Sequence, residues 1–151
     1  MDGWGWVRIG AVLGFLGVGL GAFGAHGLKD RLDTLGTAAT YQTAVQYHLG
    51  HALALVTLGA LAPRLGSGMS AFVGGMFLAG VLVFSGSLYV LSLTGIKWLG
   101  AVTPIGGLAF LAGWLALAFA QGKPTAAIQS DSPVSIESPA AHKAAGRGDA
   151  R

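Results

Sequence analysis

Long stretches without charged side chains dominate the chain, and they determine the predicted fold. No Asp, Glu, Lys or Arg occurs in residues 9–28, 34–63, 65–96 and 98–122, which are 20, 30, 32 and 25 residues long. Because a helix rises about 1.5 Å per residue, roughly 20 apolar residues cross the hydrocarbon core of a bilayer. Each stretch is therefore long enough for one crossing and too short for two.

These stretches are continuously apolar rather than alternating, which favours helices over transmembrane strands. The pattern predicts an all-α integral membrane protein, a four-helix transmembrane bundle in a domain covering residues 1–122. The predicted spans are residues 6–25, 44–61, 70–93 and 99–120. A cleaved signal peptide is the alternative for the first span, since Arg8 precedes it and Ala22-Phe23-Gly24 would serve as a cleavage site. The length of the run and the three further spans favour a retained helix.

Polar and turn-forming residues separate the predicted spans. Residues 29–33 predict a short charged loop, and residues 34–43 are expected to lie along the membrane interface with Tyr41 as an anchor. Residues 63–68 and 94–97 predict tight turns. Pro104 either begins a shorter helix capped by Thr103 or kinks a longer one. Residues 123–151 are rich in Ala, Ser and Pro, which predicts a disordered C-terminal tail.

Composition supports a membrane location and narrows the chemistry. The chain is 53% hydrophobic and 10% charged, whereas a soluble domain is about 25% charged. It has no cysteine, which excludes disulfides, thiolate metal sites and cysteine nucleophiles. The net charge of +3 comes from basic residues scattered singly, so membrane lipid, and not nucleic acid, is the expected partner.

Small residues at four-residue spacing predict where the helices pack, because transmembrane helices associate through close backbone contact. The predicted ridges are Gly10 with Gly14, Gly17 with Gly21 and Ala25, Ala71 with Gly75 and Ala79, and Ala112 with Ala116 and Ala120. We interpret them as packing seams within one bundle. The alternative is an interface with a membrane protein partner or with a second copy of the chain.

Several short motifs resemble those of a small family of membrane proteins. They are GAFGAHG at residues 21–27, YHLGHALA at 47–54, FSGSLY at 84–89, TPIGG at 103–107 and FLAGW at 110–114. Together they resemble the family catalogued as domain of unknown function 423 and as the transmembrane protein 256 group. The resemblance covers about residues 6–120 and implies a four-helix bundle in bacterial inner membranes, without an established activity. His48 occupies a position that need not be His in relatives, which disfavours a scheme using His26, His48 and His51 together.

Polar side chains concentrate in one half of the predicted bundle, next to residues 29–33 and 94–97. The candidate polar site consists of His26, Tyr47, His51, Ser85, Ser87, Tyr89 and Thr103. Polar groups in a membrane usually face the bundle interior. These residues therefore predict either interhelical hydrogen bonds or a shallow vestibule that opens toward the charged loops. Either version requires His26 and His51 to approach each other; the closed version has Phe23, Leu88 and Trp98 covering them.

The candidate chemistries are limited. Three histidines suit a metal, but no carboxylate lies within a span, so we expect no metal and no other cofactor. Ser87 could pair with His51 as nucleophile and base, but no oxyanion-hole motif accompanies them, so we expect no catalytic residue and no enzyme activity. The absence of an intramembrane Asp, Glu or Lys argues against a pump. The sequence predicts a non-catalytic structural or partner-binding membrane component; the alternative is a small channel, carrier or ligand-binding protein that uses the polar half.

Positive charges near the spans are balanced between the two sides of the membrane. One side carries Arg8, Arg64 and Lys123, and the other carries Lys29, Arg31 and Lys97. The tail adds Lys143, Arg147 and Arg151 to the first side. Because cytoplasmic segments are enriched in Lys and Arg, we predict that both termini are cytoplasmic.

Overall fold

A computed structural model describes residues 2–121, and this part of the chain is helical without a β-strand. Its α-helices are α1 (Gly3–Ala25), α2 (Lys29–Leu35), α3 (Ala38–Leu65), α4 (Ser67–Gly80), α5 (Gly86–Thr94) and α6 (Thr103–Ala118). A π-helical turn, Val81–Ser85, joins α4 to α5, and a 3-10 helix, Lys97–Ala101, precedes α6. The predicted disordered tail at residues 123–151 lies outside the described residues.

Within residues 2–121, four helical rods are long and apolar enough to cross a membrane: Gly3–Ala25, Ala38–Leu65, Ser67–Thr94 and Lys97–Ala118. The prediction of an all-α, four-helix membrane bundle is confirmed. The second rod differs most from its predicted span, since it begins at Ala38 rather than at residue 44. Hydroxyl residues are accommodated in the first turns of this helix. The Thr43 hydroxyl, for example, donates to the Ala39 carbonyl at 3.0 Å, so its hydrogen bond is made within the helix.

Glycines seven residues apart bring α1 against α3. Each of these glycines lies against a different part of α3: Gly3 against Gly59, Gly10 against Ala52 and Val56, Gly17 against Leu49 and His48, and Gly24 against Tyr41. The descending order of partners shows that the two helices are antiparallel. A Cβ atom on Gly10 would lie 2.7 Å from the Ala52 carbonyl oxygen, so the backbones touch there. A seven-residue repeat keeps one face toward a partner helix along its whole length.

The predicted four-residue ridges therefore describe the packing incompletely. A Cβ atom on Gly21 would reach Val45 at 3.2 Å, but one on Gly14 or Gly75 would meet nothing within 4 Å. Ala71 is exposed and Ala79 half-buried. Four-residue spacing drifts around a helix of 3.6 residues per turn, so Gly10, Gly17 and Gly21 of the predicted α1 ridges face α3 while Gly14 and the exposed Ala25 do not.

A second antiparallel pair forms between α6 and the α4–α5 rod. Phe77 lies against Gly113, Phe110 against Gly80, and the backbone of Phe84 against Gly106. The Trp6 ring lies on Gly74 and thereby links α1 to this pair. The buried core lies between the two pairs. Its most buried side chains, each at most 1% exposed, are Leu55, Leu58, Val73 and Phe77.

The connection between the first two spans is a short helix, so the prediction of a charged loop at residues 29–33 is wrong. Leu32 is buried against Tyr41 and Val45, and Gly36 ends the helix with a φ of +63°. The Lys29 ammonium donates to Asp33 one turn later at 2.7 Å, and this bond raises the pKa of Lys29. Both side chains are exposed, so the ion pair adds little stability; burial of Leu32 holds the helix in place.

Tyr41 is not an interface anchor. Its side chain is 3% exposed, and its hydroxyl donates to the Leu20 carbonyl at 2.8 Å. The ring lies over Gly24, whose missing side chain leaves the space. This position ties the start of α3 to the end of α1.

The predicted turns are shorter than expected. Helix α3 continues through Pro63, and the break before α4 is Gly66 alone, with a φ of +80°. Pro104 lies in the first turn of α6, so the shorter-helix alternative applies. Thr103 does not cap that helix with its side chain; its hydroxyl bonds to Leu99 and Ser87 instead.

Candidate functional site: a lateral groove at His51

The π-helical turn shapes one wall of the site. A π turn carries one residue more than an α turn, and such turns are frequent at functional sites. Here Gly106 allows the α6 backbone to lie against the backbone of Phe84. The Phe84 ring stacks obliquely on Tyr47 of α3, with centroids 4.5 Å apart, while Ser85 is fully buried. The turn thus places an aromatic ring between α3 and α6.

His51 lies at the base of the site with both ring nitrogens engaged. Nδ1 is 2.9 Å from the Tyr47 carbonyl oxygen, and Nε2 is 3.1 Å from Nε1 of Trp114. A carbonyl only accepts and an indole N–H only donates. Nδ1 therefore carries the proton and donates to Tyr47, whereas Nε2 accepts from Trp114. The two bonds select one neutral tautomer of His51.

Aromatic rings surround His51. Its ring stacks on Phe110 with centroids 3.5 Å apart and planes 14° apart, and it is 12° from the plane of Tyr47. The Trp114 ring meets it edge-on at 62°. The rings of Tyr47, His51 and Phe110 are thus stacked on one another and form an aromatic wall.

A groove of about 460 Å³ lies beside this wall, between α3 and α6. It is lined by Tyr47, His51, Phe84, Pro104, Gly107, Leu108, Phe110, Leu111 and Trp114. His51 and Phe110 form its buried base, while Tyr47 (44% exposed) and Trp114 (47% exposed) form its rim. Leu108 and Leu111 beside it are exposed on the outer face of α6. We call this feature the lateral groove, because it opens sideways between two membrane helices.

The predicted pairing of His26 with His51 is wrong. His26 is exposed, with Nδ1 3.0 Å from the Ala22 carbonyl oxygen. Gly17 of α1 lies against His48, and His26 lies nine residues beyond Gly17, roughly 14 Å along the axis. Because α3 begins earlier than predicted, His51 falls near its mid-length, far from the end of α1.

The predicted polar residues do not line a vestibule toward the charged segment. The cavity of about 250 Å³ on that side is lined by residues such as Lys29, Asp33 and Tyr41, whereas Tyr47 and His51 line the lateral groove. The predicted closure is also wrong in part, since Leu88 is buried whereas Phe23 and Trp98 are 58% and 68% exposed.

Ser87 and Thr103 form a separate contact between α5 and the start of α6. Their hydroxyl oxygens are 2.9 Å apart, and the Ser87 hydroxyl is also 3.0 Å from the Phe84 carbonyl oxygen. Both residues are buried. The pair joins the two helices next to Pro104, at one end of the lateral groove, and does not contact His51.

Tyr89 belongs to a third cluster, between α3 and α5. Its hydroxyl is 3.4 Å from Nδ1 of His48, and its ring meets Tyr41 edge-on with centroids 5.1 Å apart. Ser85 lies one turn earlier on the same rod and has no hydrogen-bond partner among the described residues. The predicted polar site is therefore divided among these three clusters and the separate, exposed His26, and only Tyr47 and His51 line the lateral groove.

Sequence reasoning missed Phe110 and Trp114 as site residues. The available signal was their spacing: FLAGW places two aromatic residues four apart on one helix face, as YHLGH does for Tyr47 and His51. Within residues 2–121 no group of three His, Asp or Glu side chains is arranged to hold a metal ion.

The fold and the groove define a small helical membrane protein that spans the bilayer with four rods. The family model described as "Protein of unknown function (DUF423)" matches residues 20–107, which include Tyr47, His51 and Phe84. The chain belongs to this family of membrane proteins, to which no function has been assigned.

Two bacterial relatives illustrate the similarity. The chain is 45% identical over 118 residues to the UPF0382 membrane protein YwdK of Bacillus subtilis (strain 168), a match that covers 78% of this chain and 95% of the relative. It is 43% identical over 111 residues to the UPF0382 membrane protein SH2409 of Staphylococcus haemolyticus, covering 74% and 89%. No solved structure matches the chain.

Proposed function

We propose that this chain is a non-catalytic binding protein of the bacterial inner membrane, and that its lateral groove takes up a small molecule dissolved in the bilayer. One observation carries the proposal: a groove of about 460 Å³ between α3 and α6 with the buried His51 ring at its base. Ligand pockets are typically about 300–1,000 Å³, mostly apolar, with a few placed polar groups. A groove between membrane helices admits such a ligand directly from lipid.

The hydrogen bonds of the groove support binding rather than catalysis. Nucleophilic catalysis needs a base within hydrogen-bond reach of the nucleophile. Ser87, the candidate nucleophile, bonds to Thr103 and Phe84 and does not line the groove. Nε2 of His51 accepts from Trp114 instead, so the histidine acts as a polar element in an apolar wall without a nucleophile beside it.

The proposal is tested by filling the groove. Gly107 lines it, and a Cβ atom there would meet only Phe84, at 3.7 Å. Leu at this position extends into the groove, so Gly107→Leu should lose a small molecule that copurifies with the unaltered protein in lipid nanodiscs, as detected by native mass spectrometry. Gly50→Leu is the control, because a Cβ atom at Gly50 meets nothing within 4 Å. A ligand retained by Gly107→Leu, or no ligand in the unaltered protein, would count against the proposal.

We propose that both termini lie on the cytoplasmic side. The α1–α3 and α4–α6 pairs are antiparallel, which supports placing Asp2, Gly66 and the end of α6 on one side. The tail residues Lys143, Arg147 and Arg151 favour the cytoplasm for that side. A periplasmic reporter fused after residue 151 should be inactive and a cytoplasmic one active; the reverse pattern would exclude this orientation.

Self-association is the second candidate function. The observation that favours it is a pair of small residues on the outer face of α4. Ala71 is exposed, and a Cβ atom on Gly75 would meet nothing within 4 Å. Close helix contacts in lipid use such positions. If a second copy packs there, Gly75→Leu should convert cross-linkable dimers to monomers, and an unchanged cross-linking yield would remove this candidate.

A further inference from the structure

We infer that the lateral groove binds a lipophilic alcohol or phenol, whose hydroxyl group inserts between Trp114 and His51. The inference rests on the proposed ligand-binding function and names the class of ligand. Its starting point is the hydrogen bond from Nε1 of Trp114 to Nε2 of His51, which joins the rim of the groove to its base.

A hydroxyl group matches the two ends of this bond. Its oxygen accepts from the Trp114 N–H, and its own hydrogen is donated to Nε2 of His51, so neither protein atom loses its partner. Nδ1 of His51 continues to donate to the Tyr47 carbonyl. This bond keeps the proton on Nδ1, so Nε2 stays unprotonated and can accept. One protein–protein bond is replaced by two protein–ligand bonds.

Ketones, ethers, ammonium ions and carboxylates match less well. A ketone or an ether accepts from Trp114 but has no hydrogen for His51, and a buried acceptor without a donor is costly. An ammonium ion donates to His51 but leaves the indole N–H without an acceptor. A carboxylate has the same defect as a ketone and carries a charge into an apolar wall.

The groove has room for the exchange. The two nitrogens are 3.1 Å apart, and a bridging oxygen needs them about 5 Å apart, since each bond to it is about 2.8–2.9 Å long. Trp114 lies on the rim and is 47% exposed, so its indole can shift outward while His51 stays packed on Phe110. The hydroxyl then lies at the base, and the apolar body of the ligand rests against the aromatic wall and extends toward the lipid.

Three probes with one apolar body separate the hydrogen-bonding roles: 4-nonylphenol, which donates and accepts; 4-nonylanisole, which only accepts; and nonylbenzene, which does neither. Binding to the full chain in nanodiscs is followed through the indole ¹⁵N–¹H signal of Trp114 as each probe is added to the bilayer. We expect the phenol to half-saturate at a mole fraction at least about tenfold below that of the anisole, the factor expected for one hydrogen bond to a buried acceptor. Equal binding of all three would overturn the hydroxyl assignment and leave the groove as a binding site. No binding of any probe would count against both the assignment and the proposed function.

His51→Phe tests the same inference by removing the acceptor Nε2 and keeping an aromatic ring. Binding of each probe to the variant is measured by native mass spectrometry. The preference for the phenol over the anisole should fall to within about twofold, because both probes accept from the Trp114 N–H and the acceptor that only the phenol could serve is gone. His26→Phe is the matched control, because His26 is exposed and does not line the groove; it should keep the full preference. A preference that survives in His51→Phe would overturn the inference. If that variant does not fold, the titration of the unaltered chain decides.

Discussion

Single glycines in α1 have opposite surroundings although they lie one turn apart. Gly10 lies against the backbone of α3, whereas a Cβ atom on Gly14 would meet nothing within 4 Å. Both positions are helical, so helix propensity favours Ala over Gly equally at each. The difference between them is therefore a difference in interhelical contact alone.

We expect Gly10→Ala to destabilise the protein and Gly14→Ala to leave it unchanged or slightly more stable. At Gly10 the added methyl would lie 2.7 Å from the Ala52 carbonyl oxygen and 2.8 Å from the Val56 nitrogen. Because these are backbone atoms, the helices must separate, at a cost of about 1–3 kcal/mol. Thermal unfolding in detergent measures both variants. Equal midpoints would show that α1 does not meet α3 through Gly10.

The Ser87–Thr103 hydrogen bond gives a second test at the residue scale. Interhelical hydrogen bonds in membrane proteins average about 0.6 kcal/mol in double-mutant cycles. We expect Ser87→Ala and Thr103→Val to be coupled by about that amount, measured as the free energy of unfolding of both single variants and the double variant. Strict additivity would mean that the two hydroxyls do not bond to each other.

At the scale of elements, the π-helical turn and α6 are adapted to each other. Gly106 admits the backbone of Phe84, and Gly113 admits the ring of Phe77, seven residues before Phe84. Large rings on one rod thus fill the spaces left by glycines on the other. The wall of the lateral groove depends on this fit, because it sets the position of Phe84.

Neighbouring glycines of α6 test this fit. We expect Gly106→Ala to lower stability by about 1–3 kcal/mol, as overpacking does, since its methyl would lie 2.8 Å from the Phe84 Cα atom. Gly107→Ala meets only the Phe84 ring, at 3.7 Å, and should be tolerated. Unfolding midpoints in detergent compare the two, and equal sensitivity would contradict the close approach of α6 to the π turn.

The short helix α2 depends on one buried side chain. Leu32 is 3% exposed and Leu35 is 37% exposed. We expect Leu32→Ala to cost about 2–3 kcal/mol locally, within the range for buried Leu, and to speed amide hydrogen exchange across residues 29–35. Leu35→Ala should leave exchange there almost unchanged. Similar exchange in both variants would argue that the segment is a loop after all.

At the scale of the whole molecule, two antiparallel helix pairs share one core and leave one gap. Helix α1 packs mainly on α3, and α6 packs mainly on the α4–α5 rod. The α3 and α4–α5 rods are the inner ones: 44% and 39% of the residues in their most apolar segments are buried, compared with 22% in each of the two outer rods. Since α6 is held by its neighbour across Phe77 and Phe84, it does not close against α3. The lateral groove is the remaining space.

Two leucines of α3 test which faces are turned toward the core. Leu55 is fully buried and Leu53 is 69% exposed. We expect Leu55→Ala to cost about 2–5 kcal/mol of unfolding free energy, as for other buried leucines, and Leu53→Ala less than about 0.5 kcal/mol. The measurement is unfolding in detergent, where exposed apolar side chains remain solvated by the micelle. A larger loss at Leu53 would invert the assignment of the two faces.

The sequence by itself determined the number of membrane helices and their approximate limits. Charges are too costly in a hydrocarbon core to be placed there without a partner, so their absence over 20 to 32 residues is decisive whatever the neighbouring helices do. It also determined where the family motifs lie, including the aromatic residues and the histidine that form the groove. The sequence did not reveal helix α2 or the early start of α3. Both depend on side chains, such as Leu32 and Tyr41, that are buried against residues elsewhere in the chain.

Tertiary structure alone decided which of these residues meet. The axial offset between α1 and α3 separates His26 from His51, and the rotation of each helix decides that Gly10 is in contact and Gly14 is not. The bond from Trp114 to His51 joins residues 63 positions apart. Such contacts depend on how two helices are placed relative to each other, and the spacing of residues along one helix does not contain that information, because the same spacing is compatible with many offsets and rotations of its partner.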